Sequence, residues 1–468
     1  MITFVPGSFR DRGSRVATHE EQIFRCLDDQ AWKDWQAVSR TPFYRDASAS
    51  GQLVSTTEVA ADQRTRLPPP LPDSAGLLRH ERVPFVSYPY EWPFALLKRA
   101  ALLHLALMER ALRDDVILKD ASPYNVQFRG VEPVFIDIGS LVPLPPGTPW
   151  IAYRQFCELF LFPLMLQAYR GIPFQPILRG SLEGISVGEF SRWLSLRDLF
   201  RRGVFSHVVL HSLLTRSVRP SERSVTSDLG RSGFDRSLIE KNVARLTRLV
   251  ERLTWTPKTS AWLDYDQTSP MVARDSEAKA ARVAEVAALR RRKLAWDLGC
   301  NLGRYSRILA RHADQVLALD GDAACVDRLA NDLTAEKVTN ILPLVCNMAN
   351  PSPAQGWGGR ERTTLEERGR PDLVLCLGLI HHLVISANIP LDQVVGWLAG
   401  LGGELVIEFP TKNDPMVRSL LRNKPDQYAD YELEAFEREL ARWFRIAHKE
   451  HLPSQERYLF HAVPNRSP

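Results

Sequence analysis

The sequence predicts an α/β fold for the second half of the chain, preceded by an α+β domain. Two observations carry this. From Leu294 onward, apolar runs of strand length alternate with helical stretches, the signature of a parallel sheet covered on both faces. The first of those runs ends in a glycine-containing turn, Asp297-Leu298-Gly299-Cys300-Asn301-Leu302-Gly303, that opens directly into a helix. At 468 residues the chain is about three times a typical single-domain length, so two or three domains are expected. Its punctuation divides it into 1–215, a linker with one helix at 216–259, and 260–468.

Composition narrows the class. With 44% hydrophobic and 25% charged residues the chain has enough apolar material for real cores. A net charge of +5 over this length is too weak an excess to argue for nucleic acid and fits a solvated, arginine-rich surface. Cys26, Cys157, Cys300, Cys325, Cys346 and Cys376 include no pair at CxxC spacing, and they read as reduced structural thiols. The N-terminal MITFVPGSFRDRGSR lacks the cationic-then-apolar order of a signal peptide. The most apolar stretch, Phe156 to Ala168, is too short for a bilayer and contains Glu158 and Pro163. A cytoplasmic protein with no membrane partner is expected.

Two stretches interrupt the pattern. Arg64 to Gly76 is proline-rich and suits a loop or domain edge, and Arg216 to Gly233 is polar, rich in arginine and serine, and reads as a linker. After it, Leu238, Ile239, Val243, Leu246, Leu249 and Val250 recur at helical spacing within Ser237–Leu253. A second helix is expected over Asp275–Arg291, and then the strands begin. The second strand, Gln315 to Leu319, ends in Asp320, 17 residues after Gly303. A third spans Asn340–Val345 and is followed by Asn347; a fourth spans Asp372–Leu377 and leads into Gly378-Leu379-Ile380-His381-His382-Leu383; a fifth spans Glu404–Phe409. Between the third and fourth, Asn350 to Arg370 reads chiefly as a solvated loop.

Glycines in such a turn let main chain approach a ligand, because a side chain would fill the ligand's space. A carboxylate at the end of the second strand is placed to accept from both hydroxyls of a ribose. Together these features resemble the class I S-adenosyl-L-methionine (SAM)-dependent methyltransferases, whose glycine-rich first motif has the variant DxGCNxG and in which L-(I/L)-H-H-L follows the fourth strand. The resemblance covers about 200 residues and implies a Rossmann-like fold with a seven-stranded sheet. It further implies that Asp297, Gly299, Cys300, Asn301 and Gly303 hold the methionine end of the cofactor, with Gly378 beside it. By the same resemblance Asp320 takes the ribose and Asn347 the adenine amino group. Asn301 stands where many members have glycine, and asparagine tolerates positive φ; Asn347 replaces a frequent aspartate and still offers an acceptor oxygen. An NAD-binding unit, which prefers GxGxxG, is the structural competitor.

His381 and His382 fall at the carboxyl edge of the sheet, where an acceptor would sit, and a side chain that titrates near neutrality suits a general base there. The alternative is that they pack or line the pocket without chemistry. The absence of Asn-Pro-Pro-Tyr or Asp-Pro-Pro-Tyr after strand four counts against methylation of nucleobase amines. Trp262 and Tyr265 suit an aromatic lid or ordinary packing.

The first half holds a second pattern. Val116 to Ser140 places Asp120 and Asn125 in LKDxxxxN, then two strand-like runs about Arg129-Gly130, then Asp137 in DIG. This resembles the catalytic loop and metal-binding segment of the protein-kinase-like fold, with Pro84–Trp92 as hinge and Ala95–Arg113 as the long helix. The resemblance implies that Asp120 orients an acceptor hydroxyl while Asn125 and Asp137 hold Mg2+ beside ATP. No GxGxxG loop or V-A-I-K strand accompanies it. The segments YPYEWPF, LKDASPYNV, YRQFC, LRGSLEGI, LGLIHHL and NPSPAQGW run through both halves, and by them the chain resembles, over nearly its full length, a bacterial group related to the nodulation protein NoeA. The reading is a methyltransferase acting on a small-molecule or protein acceptor, with the kinase-like domain aiding acceptor recognition. Its rivals are a phosphotransferase with a SAM-sensing domain and a non-enzymatic scaffold.

Overall fold

A computed structural model describes residues 2–69, 71–209, 236–257, 270–422, 424–425 and 427–465. The expected linker at 216–233 and the aromatic pair Trp262 and Tyr265 lie outside the described residues. The chain forms two compact units. One comprises 1–128, 132–256 and 354–362; the other comprises 129–131, 257–353 and 363–468.

The first unit opens with a five-stranded antiparallel sheet ordered β1 (Thr3–Phe4), β2 (Ser14–His19), β3 (Gln22–Leu27), β5 (Gly76–His80) and β4 (Thr56–Glu58). Alternation drives it: Ala17, Phe24 and Leu77 point to one buried face with Leu71. Between β3 and β4 run helices Asp29–Val38 and Pro42–Ala49, each started by a side-chain cap, Asp28 on the amide of Ala31 and Thr41 on that of Tyr44. A twenty-residue helix, Phe94–Arg113, follows the YPYEW segment and buries Leu96, Leu97, Leu105, Leu107 and Met108. Two short ladders come next. β6 (Val116–Leu118) pairs with β9 (Leu141–Pro143), and β7 (Val126–Arg129) pairs with β8 (Glu132–Phe135). Helix Arg236–Arg252 buries Ile239, Val243, Leu246, Leu249 and Val250 as its spacing predicts, while Leu238 is exposed. None of the six cysteines forms a disulfide.

One stretch departs from expectation. Residues 354–362, in the loop read as solvated, count with the first unit. Glu361 there is buried, and Arg10 grips it through two hydrogen bonds of 2.7 and 2.8 Å. A buried carboxylate needs such a partner, and neither residue announces the other from 351 positions away.

The second unit is built on a seven-stranded sheet ordered β12-β11-β10-β13-β14-β16-β15. The strands are β10 (Arg292–Leu298), β11 (Ala313–Asp320), β12 (Ile341–Val345), β13 (Leu373–Cys376), β14 (Glu404–Pro410), β15 (Phe444–His451) and β16 (Arg457–Pro464). The first five are parallel, and β16 runs antiparallel to both its neighbours. Trp296, Leu317, Ala318, Leu344, Val374 and Ile407 are buried, as continuous apolar strands covered on two sides require. No helix among the described residues is long and apolar enough to cross a membrane.

Candidate functional site

The parallel strands deliver the candidate residues to one edge. β10 ends at Leu298, and the chain turns back through Gly299 and Asn301, both with positive φ (75° and 49°). The amides of Gly299 and Cys300 both donate to the Leu319 carbonyl, at 2.8 and 3.1 Å, which seats the turn on the neighbouring strand. Gly303 starts helix Arg304–Ala310 with φ 74°. A Cβ there would lie 2.6 Å from Leu329, so packing and the positive φ together call for glycine. Gly299 and Gly378 differ. A Cβ on Gly299 would meet Leu379 at 3.6 Å and the Leu377 carbonyl at 3.8 Å, and one on Gly378 only Glu408 Oε2 at 3.8 Å. Those are ordinary contacts, so conformation and the clear space before the main chain are what glycine supplies there.

Asp320 closes the turn. Its Oδ2 accepts from the Asn301 amide at 2.9 Å and its Oδ1 from the Asp322 amide at 2.8 Å. Burial raises its pKa, opposed by these amides. The Gly321 amide adds to them, and the carboxylate still keeps a lone pair for a ligand hydroxyl. A Cβ on Gly321 would stand 3.7 Å from the Asn347 Cα, so the ends of β11 and β12 adjoin. Asn347 is exposed, and its Oδ1 accepts from the Ala349 amide at 2.9 Å, again with one lone pair left. Cys300 is buried, and burial drives its thiol well up, which makes it a packing residue rather than a nucleophile.

Asp297 is buried with the Ser306 hydroxyl 2.6 Å from its Oδ2. Burial pushes its carboxyl up to about 7, against the pull of Ser306. The folded-state pKa thus exceeds the ordinary value of 3.8. Stability from this group is complete at low pH and is lost as pH rises toward neutrality. Asp297→Asn is therefore expected to raise stability by about 1–2 kcal/mol at pH 8 and to change it little below about pH 4. Urea unfolding under the two conditions checks this; an equal effect at both would contradict it.

At the same edge the structure assembles a group the sequence reading missed. Glu408, fully buried on β14, is hydrogen-bonded by Lys279 at 3.1 Å and Arg457 at 2.9 Å. Arg457 also holds Asp414 at 2.7 Å. Burial alone would raise Glu408, but Lys279 and Arg457 outweigh it and hold the carboxyl at about 2. A charge inside the apolar run ELVIEF was the available signal.

His381 and His382 stand beside this network, their ring centroids 4.2 Å apart. His381 is buried and neither ring nitrogen has a hydrogen-bond partner within the protein. Burial, then the neighbouring His382 and Arg457, drives its pKa well down; burial and Arg457 lower that of His382. Both imidazoles are neutral, the form that accepts a proton.

In the first unit, Asp120, Asn125 and Asp137 lie on the segment between β6 and β9. Asp137 is already taken. Arg25, buried on β3, donates to its Oδ1 at 2.8 Å and also contacts Ser14 and His80. Burial, then Asp137, raises the Asp120 pKa. Among the described residues no group of three or more His, Cys, Asp or Glu is arranged to hold a metal. Arg25, a cation built into the protein, thus occupies one oxygen of the carboxylate expected to hold magnesium.

A sheet in this order, with a glycine turn after its first strand and an acidic end to its second, defines a Rossmann-like domain of the methyltransferase fold. The chain is 35% identical over 461 residues to the nodulation protein NoeA of Rhizobium meliloti (strain 1021), covering 97% of this chain and 95% of that one. It belongs to the NoeA family. The N-methyltransferase NodS from Bradyrhizobium japonicum WM9, in complex with S-adenosyl-L-homocysteine, is similar over 44% of this chain and 94% of its own, at 12% identity and a TM-score of 0.32. The magnesium protoporphyrin IX methyltransferase ChlM from Synechocystis PCC 6803 is similar over 42% of this chain and 89% of its own, at 15% identity and a TM-score of 0.30. No family model matches the chain.

Proposed function

We propose that this protein is a SAM-dependent methyltransferase acting on a small-molecule or protein acceptor. The observation that carries the reading is the meeting of the positive-φ turn at Gly299–Asn301 with Asp320 on the adjacent strand end. Bare main chain beside a carboxylate with a spare lone pair fits a ribose-bearing cation. Asp297, Gly299, Cys300, Asn301, Gly303 and Gly378 frame the methionine end, Asp320 takes the ribose, and Asn347 takes the adenine amino group through its remaining lone pair. When bound, SAM supplies a methyl group already activated on a sulfonium. The protein's task is then alignment of the acceptor and removal of its proton.

Either His381 or His382, kept neutral beside the buried ion network, serves as the proton acceptor. Because both values lie below the ordinary 6.5, the acid limb of the pH–rate profile is expected below pH 6.5, and His381→Ala or His382→Ala should lower turnover more than cofactor affinity. Full turnover in both variants would remove the pair from the mechanism.

The N-terminal unit is read as kinase-like, which its 1-2-3-5-4 sheet and the β6–β9 and β7–β8 ladders support. The Arg25–Asp137 pair favours acceptor recognition there over phosphotransfer. The test is incubation with methyl-labelled SAM and bacterial extract, with calorimetry against S-adenosylhomocysteine alongside. A labelled product together with nucleoside binding is expected; failure of both overturns the reading. ATP with magnesium should leave the melting temperature unchanged. Stabilisation that disappears in Asp137→Ala would instead support the phosphotransferase.

A further inference from the structure

Between Trp193 and Phe205 the first unit turns large apolar side chains outward. Phe200 is 92% exposed, Leu196 82% and Phe205 66%, and Trp193 and Leu199 join them at the surface. Single exposed leucines are ordinary, but such a concentration in one short stretch marks a contact surface.

The stretch is held in place by polar anchors beneath it. The Ser195 amide and hydroxyl donate to Asp198 at 2.8 and 2.7 Å, and Arg170 reaches the same carboxylate at 3.1 Å. The Tyr169 hydroxyl donates to the Arg202 carbonyl at 3.0 Å. Helix Val187–Trp193 packs against the π-helical turn Phe205–Val209. The outward rings are thus presented by an ordered frame.

Charge then identifies what the surface meets. Arg192, Arg197, Arg201 and Arg202 are all exposed, whereas Asp198, the sole acid between 190 and 209, is buried and committed to Ser195, Arg170 and Arg201. A second apolar protein patch would match the rings and leave the guanidinium groups of Arg197 and Arg202 unmatched. An anionic lipid surface matches both, with rings and leucines at the acyl boundary and arginines at the phosphates.

We propose that residues 193–205, framed by these arginines, are a peripheral docking surface for a bilayer carrying anionic headgroups. The expectation of no membrane contact rested on the lack of a spanning segment, and an interfacial turn leaves no such trace in hydropathy. This surface stands independently of the chemistry assigned to the second unit.

The test is co-sedimentation of the full chain with phosphatidylcholine vesicles, with and without phosphatidylglycerol. Binding is expected only with phosphatidylglycerol and should fall as salt rises. The L196S/F200S double variant is expected to bind about tenfold or more weakly, and R197E/R202E should lose the preference for phosphatidylglycerol. Both alter exposed positions, and unchanged melting curves will show that they fold. A wild-type chain that stays in the supernatant, or variants that sediment like it, would overturn the proposal. So would concentration-dependent dimerisation by light scattering that L196S/F200S abolishes, which would assign the surface to a second copy.

Discussion

Glu408→Gln is expected to lower folding stability by about 3–5 kcal/mol, the scale for breaking a buried ion pair from one side. The substitution keeps the volume of the side chain and removes only its charge. Lys279 would then remain buried as a cation without its carboxylate, while Arg457 would keep Asp414 alone. The pH dependence follows from the same contacts. The folded-state pKa of Glu408, about 2, lies below the ordinary 4.5. Its stabilisation is therefore complete above about pH 4.5 and is lost as pH falls toward 2. Urea unfolding of wild type and variant between neutral pH and pH 3 reads both effects. The gap should narrow in acid, because protonation of the wild-type carboxyl does what the substitution does. A loss under 1 kcal/mol at neutral pH would mean that water, not protein, solvates the network.

The second large effect concerns ligand binding. Asp320→Ala is expected to weaken binding of S-adenosylhomocysteine by about 1–3 kcal/mol, roughly 5- to 150-fold. Two losses combine. The ribose hydroxyls lose their acceptor, and the amides of Asn301 and Asp322 lose the carboxylate that fixes the turn. Asp320→Asn separates them, because its one remaining oxygen preserves part of the turn while cutting the acceptor capacity offered to the sugar. Calorimetry on folded variants measures the difference, and unchanged affinity in Asp320→Ala would remove this residue from the cofactor site.

Much of the second unit was readable locally because its signals are local. A strand, a turn and a helix from Arg292 to Ala310 need only neighbouring residues to declare themselves, and Asn301 takes the positive φ that its type tolerates. The acidic end of β11 falls at Asp320 for the same reason. The ion network was not readable, although its centre left a trace as an acid inside an apolar strand. Lys279 is 129 residues from Glu408 and Arg457 is 49, and nothing in either neighbourhood names the partner. Arg25 and Asp137, 112 positions apart, were hidden in the same way. The loop at 354–362 shows the converse error, since polarity suggested solvent while Arg10 keeps Glu361 buried.

By itself, then, the sequence determined the parallel sheet, its glycine turn and the residues carried to the carboxyl edge, because periodicity and turn chemistry are properties of adjacent residues. Only the tertiary structure decided which charges neutralise one another, which histidine is sealed from solvent, and which apolar side chains face outward. Those outcomes depend on desolvation and on pairings across the fold, and burial is not written in a residue's own type.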